Sequence, residues 1–243
     1  MKTSYSFAEL MARLFCLVLG LFVLAQGIAF TVLANLGTDA ITSPALVAHL
    51  LLGAVPGGAG YELCTVGNML ICVHVCLVLL QVLLLRSKYR PVQLLQIVNG
   101  LILGFMVDVC LGYTMLLPVP GYAAAMGYTL LGCMVCAFGI FTFVKANLVP
   151  LSAEGVCLAL SHAFGWRFSR VKVAVDCSMI AIAVLGSLAL LGTVVGVREG
   201  SLICAVSTGF VIGWYFRHCT VWDKLFALAG KKELGSEIDD KLA

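Results

Sequence analysis

Few side chains in this sequence could do chemistry, and most of them lie in apolar surroundings, where a charge is expensive and its position therefore informative. Asp108 stands fourteen residues into the run LLQIVNGLILGFMVDVCLGYTMLL, about 21 Å along a helix. A carboxylate at that depth can carry a proton, ligate an ion or form half of an ion pair. Gly100, Gly104 and Gly112 recur with it every four residues, a smooth stripe on which a second helix can lie, so Asp108 should face protein rather than lipid. A buried structural pair is an equally good account of it. His74 falls near the middle of another apolar run, where a lone histidine is more often bonded to a neighbouring backbone carbonyl than used as a ligand. Lys172 and Asp176 are four residues apart at the mouth of a helix and read as a pair. Asp39 and Glu154 each fall in the first turn of a short helix, against the positive end of its dipole. Arg198 and Glu199 form a charged turn, and Arg217 closes the last apolar run in the register that Asp108 holds in the first half.

The short helices that would position these acids belong to two similar segments. Gly27–Gly53 and Gly139–Gly165 have equal lengths at a constant offset of 112 residues, and six of their first ten paired positions are identical. The same offset carries Arg86 onto Arg198. Each copy reads as an apolar helix ending at an asparagine, Asn35 or Asn147, then a polar break, then a short helix closed by glycine. The short helices are expected at Thr38–Leu52 and Leu151–Phe164, with Thr38 and Ser152 as caps. They either lie flat at the membrane surface or dip inward. The inward arrangement is preferred, because each carries few polar residues and Asn35 and Asn147 can satisfy backbone groups freed at the breaks. Interrupted segments at matching places in two halves point to a transporter-like binding site.

The frame that holds them is a membrane one. With 62% hydrophobic and 11% charged residues, the chain is too apolar for a soluble domain. Six runs are long enough to cross a hydrocarbon core of about 30 Å: Leu14–Leu36, Tyr61–Leu85, Leu94–Leu117, Tyr122–Ala146, Val173–Leu191 and Leu202–Cys219. If the N-terminus is cytoplasmic, fourteen of the fifteen Lys and Arg residues fall on the cytoplasmic side and Arg198 alone lies outside. That split places both termini in the cytoplasm of a cell (inner or plasma) membrane protein. The net charge of +3 therefore reports topology, and no nucleic-acid partner is read from it. Three crossings per copy turn the second upside down. The fold class is accordingly all-α and polytopic: six transmembrane helices as two inverted three-helix repeats, each with an extra short helix after its first span. The repeats cover about residues 14–117 and 122–222 of one membrane domain, and 230–243 form a charged cytoplasmic tail.

Eleven cysteines suggest metal or redox chemistry until they are placed. Nearly all lie in the apolar runs, where cysteine behaves as a small hydrophobe, so packing is the expected role. Cys133-x-x-Cys136 has no nearby charge or helix N-terminus to activate a thiol. Lys145 is expected to extend to the membrane boundary.

The chain resembles the YczE/YyaS/YitT family of bacterial six-helix membrane proteins across Arg13–Arg217. The residues that carry the likeness are Leu36-Gly37-Thr38, Gly104 with Asp108, Pro150-x-x-x-Glu154-Gly155, Phe168 with Lys172 and Asp176, and Gly196-x-Arg198-Glu199-Gly200. The resemblance implies six membrane helices; the extra soluble C-terminal domain of YitT-type members is absent, and so is the Pro-x-Asp that many relatives carry after Gly-Thr. It implies no particular activity.

Three functions fit the sequence. The leading one is a small secondary transporter or permease of an unidentified small molecule or ion. Its binding candidates are Asp108, Glu154, Asn35, Asn147, Asp39, Asp176, Lys172, His74, Arg198, Glu199 and Arg217. A non-transporting membrane scaffold or accessory protein comes second. A soft-metal or thiol-redox protein built on Cys72, Cys76, Cys133 and Cys136 with Met69 and Met126 comes last. No catalytic residues, metal site or cofactor are read, so the chain is not expected to be an enzyme. Its partners are membrane lipid and the substrate, with a homo-oligomer left open.

Overall fold

A computed structural model describes residues 7–53, 64–85, 91–166 and 168–229. The basic loop 86–90, Lys2, Arg167 and the tail 230–243, all used in the topology reading, lie outside the described residues. The described chain is helical throughout: α1 (Phe7–Ala34), α2 (Thr42–Gly53), α3 (Val66–Leu85), α4 (Leu95–Thr114), α5 (Tyr122–Ala146), α6 (Ser152–Phe164), α7 (Phe168–Leu191), α8 (Glu199–His218) and α9 (Val221–Ala229). One turn of 3-10 helix, Pro91–Leu94, leads into α4. Six of these helices (α1, α3, α4, α5, α7 and α8) are long and apolar enough to cross a membrane, and the chain is a multi-pass membrane protein. Large side chains such as Leu83, Phe105, Leu185 and Phe210 stand bare on the outside of the bundle, as lipid-facing residues should.

The centre of the bundle is the crossing of α1 and α5, and glycine makes it possible. A Cβ on Gly27 would stand 2.6 Å from the Cys136 nitrogen, and one on Gly139 would stand 2.6 Å from the Leu24 nitrogen. No side chain fits at that separation. Residue numbers fall along α5 as they rise along α1, so the two run antiparallel. The two contacts are also one contact seen twice: adding 112 to Gly27 gives Gly139, and subtracting 112 from Cys136 gives Leu24. Gly20 against Phe143 and Gly132 against Thr31 are related in the same way.

The matching extends to the other helices. Burial of the spanning stretches falls into pairs, 56% for α1 and α5, 28% for α3 and α7, 39% for α4 and α8. Helix α2 packs on α3 and α7, and α6 packs on α7 and α3; α1 packs on α4 as α5 packs on α8. Both first spans end on an asparagine in the left-handed region, Asn35 at φ 52° and Asn147 at φ 49°, the helix-stopping role expected of them.

Three local expectations change. Thr38 does not cap α2; its hydroxyl meets Ser43 Oγ at 3.2 Å, and Asp39 Oδ2 accepts instead from the Ile41 and Thr42 amides at 3.3 and 3.4 Å. Ser152 is the first residue inside α6, which starts without a side-chain cap. Lys145 does not reach for water: it is buried and pairs with Asp223 of α9 at 3.0 Å. Beside it Arg13 donates to the Ala146 carbonyl at 2.9 Å and stacks 4.6 Å over Phe226. The amphipathic α9 thus closes the end of the bundle where the described chain begins and stops.

Cysteine shows one further difference. Cys133 of α5 and Cys204 of α8 form a disulfide, which neither the packing role nor the Cys133-x-x-Cys136 spacing anticipates. The two face each other because α5 and α8 are packed neighbours. Cys72 and Cys76 are exposed on α3 while His74 between them is buried, the opposite-face arrangement that helical periodicity requires.

Candidate functional site

Both short helices turn their N-terminal ends into the bundle. Their N-terminal turns are buried: Thr42 and Ser43 of α2, and Ser152, Ala153 and Glu154 of α6, are at most 2% exposed. At the other ends Leu52 and Phe164 are exposed. Helix α2 is 12 residues long and α6 is 13, about 18–20 Å each at 1.5 Å per residue, too short to cross.

Both N-terminal turns open on one cavity of about 30 Å³, room for one or two waters. Its apolar walls come from the α1/α5 crossing, Leu24 and Ile28 facing Cys136 and Ile140, with Leu70 and Leu103 between α3 and α4. The first of these pairs, like the second, is related by the 112-residue offset. Its polar lining is Asp39, Thr42, His74, Glu154, Lys172, Asp176 and Thr208.

Lys172 ties the acids together. Its Nζ lies 2.8 Å from Asp176 Oδ1 and 3.6 Å from Glu154 Oε1, so the expected pair is a triad. His74 Nδ1 meets Ser152 Oγ at 2.5 Å, a side-chain partner on α6 in place of the backbone carbonyl expected from sequence. Gln81, fully buried, donates to the Ser152 carbonyl at 2.8 Å and to Gln96 Oε1 at 2.9 Å. A Cβ on Gly155 would come within 2.8 Å of both amides, so glycine is what lets α6 lie against them. Sequence reading missed Gln81 and Gln96; two amides inside apolar runs were the available signal.

The cavity polar groups are left incomplete. Asp39 Oδ1, Thr42 Oγ1, His74 Nε2 and Glu154 Oε2 are shut off from solvent and have no hydrogen-bonding partner among the described residues, a state that costs free energy unless something occupies the space between them. Among the described residues no three His, Cys, Asp or Glu side chains converge closely enough to ligate a metal ion.

Asp39, His74, Glu154, Lys172 and Asp176 are therefore brought together, and the other six candidates are not. Asp108 does face protein, but away from the cavity: its Oδ1 accepts from the Gly67 amide at 2.9 Å and its Oδ2 from the Thr65 hydroxyl at 2.7 Å. It caps the start of α3 from a neighbouring helix. Arg198 donates to the Asn35 carbonyl at 3.2 Å and to Glu199 at 3.1 Å, an exposed clasp between the end of α1 and the start of α8. Asn147 ends α5, and Arg217 is exposed in the last turn of α8.

A model for a family of unknown function (DUF6198) matches residues 11–217, and the chain belongs to that family. Its description names no activity, and the narrower likeness to YczE/YyaS/YitT proteins is not part of it. No curated protein and no solved structure matches the chain.

Proposed function

We propose that this DUF6198 member is a small secondary transporter built from two inverted copies of one unit, α1–α4 and α5–α8, with its substrate site in the cavity between them. The observation that carries the reading is the convergence of α2 and α6, N-terminal ends first, on one buried polar cavity with four unpartnered polar atoms. Broken elements entering from opposite sides to a site between repeats are the arrangement by which transporters hold a solute while exposing it alternately to either face. The α1/α5 crossing supports the inversion, because contacts that map onto themselves when the halves are exchanged define a two-fold axis, as in an isologous interface. On this reading both termini and α9 are cytoplasmic, and the α9 contacts with Lys145 and Arg13 close the cytoplasmic end.

A scaffold would gain nothing from incomplete carboxylates; each destabilises the fold unless a ligand, proton or water satisfies it. The test is transport by the full chain in sealed vesicles, with a panel of small cations, anions and zwitterions and the current across the membrane as readout. Substrate-dependent flux that is lost in Glu154→Gln, with unchanged insertion and melting, supports the reading. Equal flux in the variant, or none with any solute, removes it.

A further inference from the structure

The charge around the cavity narrows its ligand. Asp39, Glu154 and Asp176 bring three carboxylates and Lys172 one ammonium. The two helix N-termini add roughly half a positive charge each, although Asp39 already accepts from the first amides of α2. With every group ionised, the surplus is about one negative charge. In surroundings this apolar an uncompensated charge is not sustained, so the cavity calls for one positive charge, a proton on one acid or a monovalent cation, rather than for an anion or a divalent ion.

The unpartnered atoms say what kind of cation. Asp39 Oδ1 and Glu154 Oε2 are acceptors, Thr42 Oγ1 can accept as well as donate, and His74 Nε2 joins them as an acceptor in the tautomer whose Nδ1 proton goes to Ser152 Oγ. Three of the four residues are at most 2% exposed. Hard metal ions prefer six or more oxygen ligands, more than these unpartnered atoms supply, whereas a cation with N–H donors is satisfied by three or four acceptors of mixed type. The volume of about 30 Å³ admits one or two non-hydrogen atoms, and the walls facing those acceptors are aliphatic.

We propose that the cavity binds ammonium or a small protonated primary amine, its N–H groups donating to Asp39, Glu154 and Thr42 or His74 and any methyl group lying against Leu24, Ile28 and Ile140. The inference rests on the cavity that the transport reading uses, but binding and flux fail separately. The full chain, purified in detergent, is titrated with ammonium, methylammonium, potassium, sodium and acetate at constant ionic strength. Heat release and thermal stabilisation are followed. Ammonium and methylammonium should bind, and potassium, of similar size and charge but without donors, should bind at least about tenfold more weakly, one charge-assisted hydrogen bond being worth that much or more. Glu154→Gln and Asp39→Asn should each weaken methylammonium by about tenfold or more, whereas Asp108→Asn should leave it unchanged. Equal affinity for potassium overturns the proposal in favour of an alkali-ion site; binding of no cation overturns it in favour of a proton or of acetate. The ion series needs no variant to fold. Binding without flux in vesicles would remove the transporter reading and leave the site standing, whereas flux of an anion without amine binding would do the reverse.

Discussion

Asp108 and Glu154 are both carboxylates within the helical bundle, and they are built oppositely. Each oxygen of Asp108 has a donor, the Thr65 hydroxyl at 2.7 Å and the Gly67 amide at 2.9 Å. Glu154 has Lys172 at 3.6 Å from one oxygen and nothing on the other. The first is finished by its own fold and the second is not. Depth in an apolar run marks both as candidates, but a group that must act on something else has to keep bonding capacity in reserve. The region around Asp108 holds α3 to α4; the region around Glu154 holds space.

The sharpest way to break the contrast is to remove the cation that holds the incomplete acids. Lys172→Met leaves the buried Glu154 and Asp176 carboxylates without a counter-charge, and loss of one partner from a buried pair costs roughly 3–5 kcal/mol. Poor yield and a strongly lowered melting temperature are expected, with recovery when Glu154→Gln and Asp176→Asn are added. A normal melting curve for the single variant would show that the acids are already neutral and that the triad is not an ionic one.

Next come the two acids themselves, compared by the same substitution. Glu154→Gln keeps the shape, removes a charge that Lys172 holds only loosely, and should leave melting little changed while abolishing flux. Asp108→Asn should do the opposite. It keeps one acceptor oxygen but sets an amide where Asp108 meets either the Gly67 amide or the Thr65 hydroxyl, a loss comparable to a helix cap, about 0.5–2 kcal/mol, with flux and amine affinity retained. Loss of flux in Asp108→Asn with normal melting would return Asp108 to the site.

Much of this was legible in the residues. Apolar runs, the charge split and the 112-residue offset define the spans and both helix breaks, because hydropathy and backbone geometry are local properties. Asn35 and Asn147 announce their left-handed caps for the same reason. Lys172 and Asp176 show by spacing that they pair; that Glu154, eighteen residues before Lys172, joins them depends on α6 folding back against α7. The fate of Asp108 was not legible, since its donors lie on a segment some forty residues away. Nor was the polar role of Gln81 and Gln96, which depends on a bare glycine in α6. The second half also swaps the position of its acid: Asp39 maps by the offset onto Leu151, and Thr42 onto Glu154. A search for matched acids in the two copies therefore finds none, although the first copy delivers Asp39 and the second Glu154 and Asp176 to the same cavity.

The smallest effect tests why Asp108 faces inward at all. The stripe of Gly100, Gly104 and Gly112 suggests that all three glycines receive a neighbouring helix, but their surroundings differ. A Cβ at Gly104 would stand 2.7 Å from the Gly67 carbonyl, backbone that cannot yield, and one at Gly100 would meet the His74 Cβ at 3.0 Å. At Gly112 nothing among the described residues lies within 4 Å. Gly112→Ala therefore loses no contact and removes the extra freedom of glycine from the unfolded chain, a gain of about 0.4–1 kcal/mol. A slightly raised melting temperature is expected for Gly112→Ala, against a clear loss for Gly104→Ala, both read with flux unchanged by the former. A loss at Gly112 comparable to that at Gly104 would mean that a further helix covers the end of α4, such as one from a second copy of the chain, and would place the Asp108 region at an interface rather than at a finished edge.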